Sequence, residues 1–223
     1  MTPTNGQLKR SARNLLSGSW RTHIIITGFL FILEMTGYFI SGIYTGETTM
    51  SFVFGIAVTF ILNVFLGLFY DGACLYFLKL SRQEPASLQD LPAAYRQQAD
   101  RFLIVSLIRT GVTTVMQLPF LLIRAFVPAL ILTVVLVVIG GYVLISIAPA
   151  SLMLFDYPEL GAADALTKSL KVMRGQRRRL ILLVLSFVPW VLLCLCSLGI
   201  GTLWALPYFI TSFVFYYESL PQE

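Results

Sequence analysis

The stretch RGQRRRLILLVLSFVPW, residues 174–190, places four arginines directly before an uncharged, apolar run. Such a basic cluster either binds nucleic acid or anchors the end of a helix at a membrane surface. The composition of the whole chain decides between the two. Of its 223 residues 57% are apolar and 12% are charged, whereas a soluble domain is about one quarter charged. We therefore expect a membrane protein and no nucleic-acid partner, in spite of the formal net charge of +5.

Apolar runs of membrane-spanning length recur along the chain. A helix crosses a hydrocarbon core about 30 Å thick with about twenty apolar residues. Six runs predict an all-α polytopic membrane protein with six transmembrane helices: residues 23–43, 51–78, 102–122, 126–155, 180–198 and 203–218. The third and fourth runs are nearly continuous, and Pro119, Arg124 and Pro128 predict the hairpin between them. Gly199 and Gly201 predict an outward-facing turn between the last two.

The basic residues predict the orientation. Fourteen of the sixteen lysines and arginines precede span one or lie between spans two and three or four and five. Because positive residues concentrate on the cytoplasmic side, both termini are predicted to be cytoplasmic. Arg124 is the only basic residue predicted in a connection on the other side. Nine of these cations are candidate contacts for anionic lipid headgroups: Lys9, Arg10, Arg13, Lys168, Lys171, Arg174, Arg177, Arg178 and Arg179.

Two or three of the cytoplasmic segments are predicted to be amphipathic helices at the interface, at residues 6–19, 86–100 and 159–175. The first and third segments separate apolar from basic residues at helical spacing, and the second is patterned more weakly. Their apolar faces comprise Leu8, Ala12, Leu15 and Leu16 in the first and Ala163, Leu166, Leu170 and Met173 in the third. Several residues of the first segment match residues of the third at one fixed offset, so an internal repeat is one interpretation of the sequence.

Ionisable residues inside a span are costly, so each is a candidate functional residue. Asp71 and Arg109 should lie at similar depths, about 12 Å inside the cytoplasmic boundary, and opposite charge predicts that they pair. Glu34 lies about 20 Å deep, near the levels of Asn63 and Gln117. It is either a protonated acid hydrogen-bonded to one of these amides or part of a wet cavity that passes protons or cations.

Three motifs in the chain carry a resemblance to a known family. They are FLKLSRQEPASLQDLPAAY at residues 77–95, PELGAADALTKSLKVMRGQRRRLILLVLSFVPW at 158–190 and LGIGTLWALPYFITSFVFYYESL at 198–220. Together they resemble the DUF975 family of bacterial integral membrane proteins. The resemblance implies a protein of the bacterial inner membrane and implies no reaction. Where the family tends to carry a Pro-Gly kink in the fourth span, this chain has Gly140-Gly141 and Pro149, so the position of a bend stays open.

Motifs for catalysis or cofactor binding are missing from the sequence. There is no nucleophile elbow and no metalloprotease motif, and the single histidine, His23, is interpreted as an interfacial anchor. We therefore expect no enzyme activity, no cofactor and no metal. Two functional classes remain: an accessory, assembly or lipid-organising membrane component, with a membrane-protein partner or a second copy of itself, and a small transporter or channel that uses Glu34, Asp71 and Arg109.

Charge reversal tests the predicted ion pair. Asp71→Arg or Arg109→Asp alone should leave an uncompensated charge in the membrane and cost several kcal/mol. The double reversal should restore folding, measured as the fraction of chain recovered monodisperse in mild detergent. A double variant that misfolds as badly as the two single variants would contradict the pair.

Overall fold

The computed structural model of the protein describes residues 3–44, 49–96, 99–122 and 126–221. Every regular element in these ranges is a helix, which confirms the all-α prediction. Arg124, predicted in the hairpin between spans three and four, lies outside the described residues. The α-helices are α1 (Asn5–Leu16), α2 (Trp20–Tyr44), α3 (Thr49–Ser81), α4 (Ala93–Arg96), α5 (Ala99–Leu122), α6 (Phe126–Ile147), α7 (Ala150–Asp156), α8 (Ala162–Val172), α9 (Arg177–Leu185), α10 (Val188–Cys196) and α11 (Thr202–Glu218).

Five stretches of the described chain are helical, long and apolar enough to cross a membrane. They are Trp20–Ile40, Val53–Ser81, Ala99–Pro119, Pro128–Asp156 and Arg177–Cys196. The sixth predicted span, 203–218, is helix α11, which has 17 residues. A helix of that length reaches about 25 Å, which is less than the hydrocarbon core.

Two of the predicted spans are interrupted. The predicted helix 180–198 is two helices, because α9 ends at Leu185 and α10 begins at Val188, with Pro189 in its first turn. Proline is tolerated there because the first turn of a helix has no acceptor for its missing N–H. The predicted helix 126–155 passes through Gly140-Gly141 without a break and ends at Ile147, and α7 begins at Ala150, directly after Pro149. Pro149 therefore marks the interruption that the sequence left open.

The prediction of one interfacial helix over residues 86–100 is wrong. Among the described residues this segment holds a 3₁₀ turn, Leu88–Asp90, and the short helix α4. The carboxylate of Asp90 accepts from the backbone N–H of Ser87 at 2.8 Å and from Lys79 Nζ at 2.5 Å, which fixes a turn. Pro92 has no backbone N–H to donate, which is tolerated directly before α4 and would interrupt the interior of one longer helix.

Contacts between Cα atoms divide the chain into two compact units. The first unit consists of Met1–Thr36, Phe69–Gln97 and Val172–Glu223. In it, α1 packs against α9 and α11, and the apolar side of α1 is buried there through Leu8, Ala12 and Leu16. Thr4 starts α1 with a capping box, since its hydroxyl accepts from the N–H of Gln7 while the Gln7 side chain accepts from the Thr4 N–H. The apolar face of α1 is thus covered by protein.

The second unit consists of Gly37–Leu68 and Gln98–Lys171. Helix α5 is central to it and packs against α6 and α7, with the rings of Phe102 and Phe155 4.5 Å apart. Ser106 Oγ donates to the carbonyl oxygen of Val64 at 2.7 Å, which ties α5 to α3. The third amphipathic segment, 159–175, contains α8, and its buried residues are Ala162, Ala165 and Ser169. Small residues at such contacts let helices approach closely.

Close packing in the first unit predicts the effect of one substitution. A Cβ at Gly72 would overlap the carbonyl oxygen of Leu91, and a backbone atom does not move aside easily. Gly72→Ala should therefore lower the free energy of unfolding by roughly 1–3 kcal/mol. The measurement is the midpoint temperature of thermal aggregation in detergent, which should fall. The control is Gly111→Ala in α5, where a Cβ would have no neighbour within 4 Å. Equal midpoints for the two variants would contradict the packing of Gly72.

Candidate functional site

The clearest polar contact between apolar helices involves Glu34. Its carboxylate oxygen Oε2 accepts a hydrogen bond from the phenolic oxygen of Tyr70 at 2.9 Å, and both residues belong to the first unit. Helices α2 and α3 position them, and the neighbouring rings of Phe29 and Phe69 meet edge to face at 5.8 Å. The tyrosine hydroxyl supplies the donor that a carboxylate needs in an apolar setting.

The two amides expected at the depth of Glu34 belong to the other compact unit. Asn63 is exposed on α3, and its Nδ2 donates to the carbonyl oxygen of Thr59, one turn earlier in the same helix, at 2.9 Å. Gln117 is exposed on α5, and both amides belong to the second unit. Within the first unit the hydrogen-bond partner of Glu34 is Tyr70, a residue that the sequence analysis did not nominate.

Asp71 and Arg109 are both placed on membrane-length helices. Asp71 is 1% exposed and belongs to the first unit. Arg109 belongs to the second unit, where its Nη2 donates to the carbonyl oxygen of Gly67 at 3.1 Å. Gly67 leaves room for this contact, since a Cβ there would overlap Ser106 Oγ and lie 2.7 Å from Arg109 Nη2. The ion pair between Asp71 and Arg109 stays a prediction.

His23 lies in an aromatic cluster of the first unit. Its side chain is 0% exposed, its Nε2 is 3.0 Å from Ser19 Oγ, and its Nδ1 is 3.4 Å from the hydroxyl of Tyr76. The ring of Phe77 lies 5.5 Å away. The sequence interpretation as an interfacial anchor missed these partners. The spacing of Ser19 and His23, one helical turn apart, could have indicated their contact from the sequence. No sequence signal indicates the contacts of His23 with Tyr76 and Phe77.

Three of the nine candidate lipid contacts are engaged by protein. Lys9 Nζ donates to the carbonyl oxygen of Ser186 at 2.7 Å, and burial, with a smaller contribution from the charge of Arg13, lowers the pKa of Lys9. Lys168 lies over the ring of Tyr157 at 3.6 Å. Arg179 lies over a tyrosine ring at 5.2 Å, and its guanidinium nitrogens are buried. Arg177 is half-buried, and the five exposed cations are Arg10, Arg13, Lys171, Arg174 and Arg178.

A helical protein with several apolar, membrane-length helices is the class that these features define. The family model of DUF975, a protein of unknown function, matches residues 99–223, which is more than half of the chain. The chain therefore belongs to the DUF975 family. Comparison with curated proteins and with solved structures finds no match in either.

The contact between Glu34 and Tyr70 is testable by a double-mutant cycle. Tyr70→Phe and Glu34→Leu should each destabilise the protein, and the double variant should lose less than the sum of the two. We expect a coupling of about 1 kcal/mol for a neutral pair and about 2 kcal/mol for an ionised carboxylate, measured from unfolding midpoints in detergent. Additive effects within error would show that the two groups do not interact.

Proposed function

We propose that the chain is a multi-pass protein of the bacterial inner membrane, with both termini cytoplasmic. We further propose that it acts without catalysis, as an accessory or assembly component that organises anionic lipid around a membrane-protein partner. The positive-inside bias supports the orientation, because the exposed cations belong to the segments predicted to be cytoplasmic. Both termini lie on one side of the membrane if the chain crosses it an even number of times, and a hairpin that enters and leaves on the same side does not change this.

The observation that carries this proposal is that some basic residues of the first unit contact protein whereas others are exposed. Lys9 turns inward onto the carbonyl of Ser186, whereas Arg10 and Arg13 on the same helix stay exposed. Arg174 and Arg178 are exposed beside the start of α9. Because α1 buries its apolar side against protein, its exposed arginines remain available to headgroup phosphates or to acidic residues of a partner.

The polar residues inside the membrane-length helices are compatible with a structural role. Tyr70 donates to Glu34, Asn63 donates to its own helix, and Arg109 donates to the carbonyl of Gly67. Such contacts hold helices together without requiring a path for a substrate. Transport through Glu34, Asp71 and Arg109 is the alternative outcome of the experiment below.

The test is crosslinking in native membranes, followed by purification in mild detergent and mass spectrometry of the proteins and lipids that are recovered. We expect a stoichiometric membrane-protein partner and bound anionic lipid. Arg10→Gln with Arg13→Gln should reduce the lipid recovered, since each cation near an anionic surface contributes about 1 kcal/mol, or roughly fivefold in affinity. Recovery of the chain alone would contradict an accessory role and would favour transport.

Lys9→Met is the matched control for the arginine variants. It removes one positive charge from the same helix, at a side chain that contacts Ser186 instead of facing outward. We expect it to lower stability and to leave the recovered lipid unchanged. Equal lipid loss from Lys9→Met and from Arg10→Gln alone, which removes the same single charge, would mean that net charge, and not the exposed face of α1, attracts the lipid.

A further inference from the structure

The turn between α10 and α11 has an unusual surface for a loop that faces water. Leu198 is 93% exposed and Ile200 is 60% exposed, and Leu195, in the last turn of α10, is 69% exposed. No charged residue occurs from Leu180 to Tyr217, so the whole hairpin above the arginines is uncharged. A tip of this kind is an exposed apolar patch, and such patches mark contact with protein or membrane.

The backbone N–H groups of this turn are satisfied without water. Each of the nine N–H groups from Ser197 to Ala205 donates to an acceptor within the same hairpin, at 2.8–3.2 Å. The N–H of Gly201, which is the one that finds no carbonyl, donates to Ser197 Oγ at 2.8 Å. A loop in water has no need to pair every N–H group within the chain, whereas hydrocarbon offers no acceptor to an N–H group.

The residue type at the tip also indicates that the tip lies in hydrocarbon. Leu198 adopts a left-handed backbone conformation, with φ of 52°, directly before Gly199 with φ of 90°. In a turn exposed to water, asparagine, aspartate or glycine normally occupies such a position, because other residues lose roughly 1 kcal/mol there. An apolar side chain offsets this cost only where its surroundings are themselves apolar.

The depth of the tip follows from contacts within the first unit. The hydroxyl of Thr27 donates to the carbonyl oxygen of Leu203 at 3.1 Å, and a Cβ at Gly199 would lie 3.6 Å from the ring of Phe31. Phe31 is eleven residues beyond Trp20, where α2 begins, so the tip lies about 16 Å along this helix. That is about half of a hydrocarbon core 30 Å thick, so the two arms of the hairpin, each about 25 Å or more in length, run obliquely to α2. Helix α2 itself continues to Tyr44.

The open end of the hairpin lies level with the other polar ends of the first unit. The hydroxyl of Tyr216 donates to the carbonyl oxygen of Gln176 at 3.1 Å, and Glu218 accepts from Ser81 Oγ at 3.0 Å. Ser81 is the last residue of α3. The hairpin therefore starts and ends where α3 ends and the arginines cluster.

We propose that α9, α10 and α11 form a re-entrant hairpin, which enters the membrane from the side of the basic residues, turns in the hydrocarbon near the midplane and leaves on the same side. The partner of the exposed tip, Ser197 to Thr202, is the acyl-chain interior of the bilayer. This inference rests on the membrane placement proposed above. It replaces the fifth and sixth predicted spans by one hairpin and keeps both termini on one side.

The experiment uses single cysteines in a chain that lacks its native ones, through Cys74→Ala, Cys194→Ala and Cys196→Ala. Leu198→Cys and Ile200→Cys probe the tip in two independent variants. Glu47→Cys, in the connection predicted outside, and Glu84→Cys, on the side of the basic residues, are the controls. A membrane-impermeant sulfonated maleimide is applied to right-side-out and to inverted vesicles, and total thiol is measured after solubilisation.

We expect the tip cysteines to react from neither side, roughly tenfold or more slowly than the control on its accessible side, because hydrocarbon disfavours the reactive thiolate. Nitroxides attached at the same positions should collide with oxygen more than with a nickel chelate. Reaction of the tip from the side of Glu47→Cys would show two full spans and overturn the proposal, as would reaction from the side of Glu84→Cys. Loss of sidedness for the two controls would instead contradict the proposed membrane topology.

Discussion

Hydrocarbon provides no hydrogen-bond partner, and this constraint explains why the chain is helical and how its polar side chains are paired. Backbone N–H groups in a bilayer must be satisfied by the chain itself, which leaves helices as the only regular structure for a single chain without a closed barrel. The same requirement operates on side chains. Tyr70 donates to Glu34, Ser106 to Val64 and Thr27 to Leu203, so each of these three hydroxyl groups on apolar helices has an acceptor nearby.

The sequence predicted the helical class and most helix positions because one physical quantity, apolar length, determines both. Interruptions were harder to place. Pro149 ends one helix although Gly140-Gly141, a few residues earlier, is helical, and the break after Leu185 has no glycine at all. Whether a helix continues through a weak point depends on packing, and Gly140 is held by α5, where a Cβ would meet the side chain of Met116. A linear sequence carries no statement about such neighbours.

The candidate site shows the same limit. Depth along a helix was enough to nominate Glu34, Asp71 and Arg109, since a charge in a membrane requires a reason wherever it occurs. Depth gives no rotation about the helix axis, so Asn63 and Gln117 were expected beside Glu34 although both are exposed on other helices. Tyr70 was overlooked because a tyrosine in an apolar run resembles its hydrophobic neighbours, and only the structure shows which group its hydroxyl contacts. Charge alone likewise did not separate Lys9, bonded to Ser186, from the exposed Arg10.

The first unit joins these features into one arrangement. Helix α1 packs against α9 and α11, and Lys9 reaches the carbonyl of Ser186, which follows α9 and has no helical partner across the break. The ring of Phe187 lies 4.3 Å from the same ammonium group and packs on Tyr208 of α11. The basic helix is therefore coupled to the hairpin at the point where the hairpin is interrupted. A lipid headgroup or a partner that binds the exposed arginines of α1 would therefore act on a helix that contacts both arms of the hairpin, so binding at α1 and the packing of the hairpin are coupled.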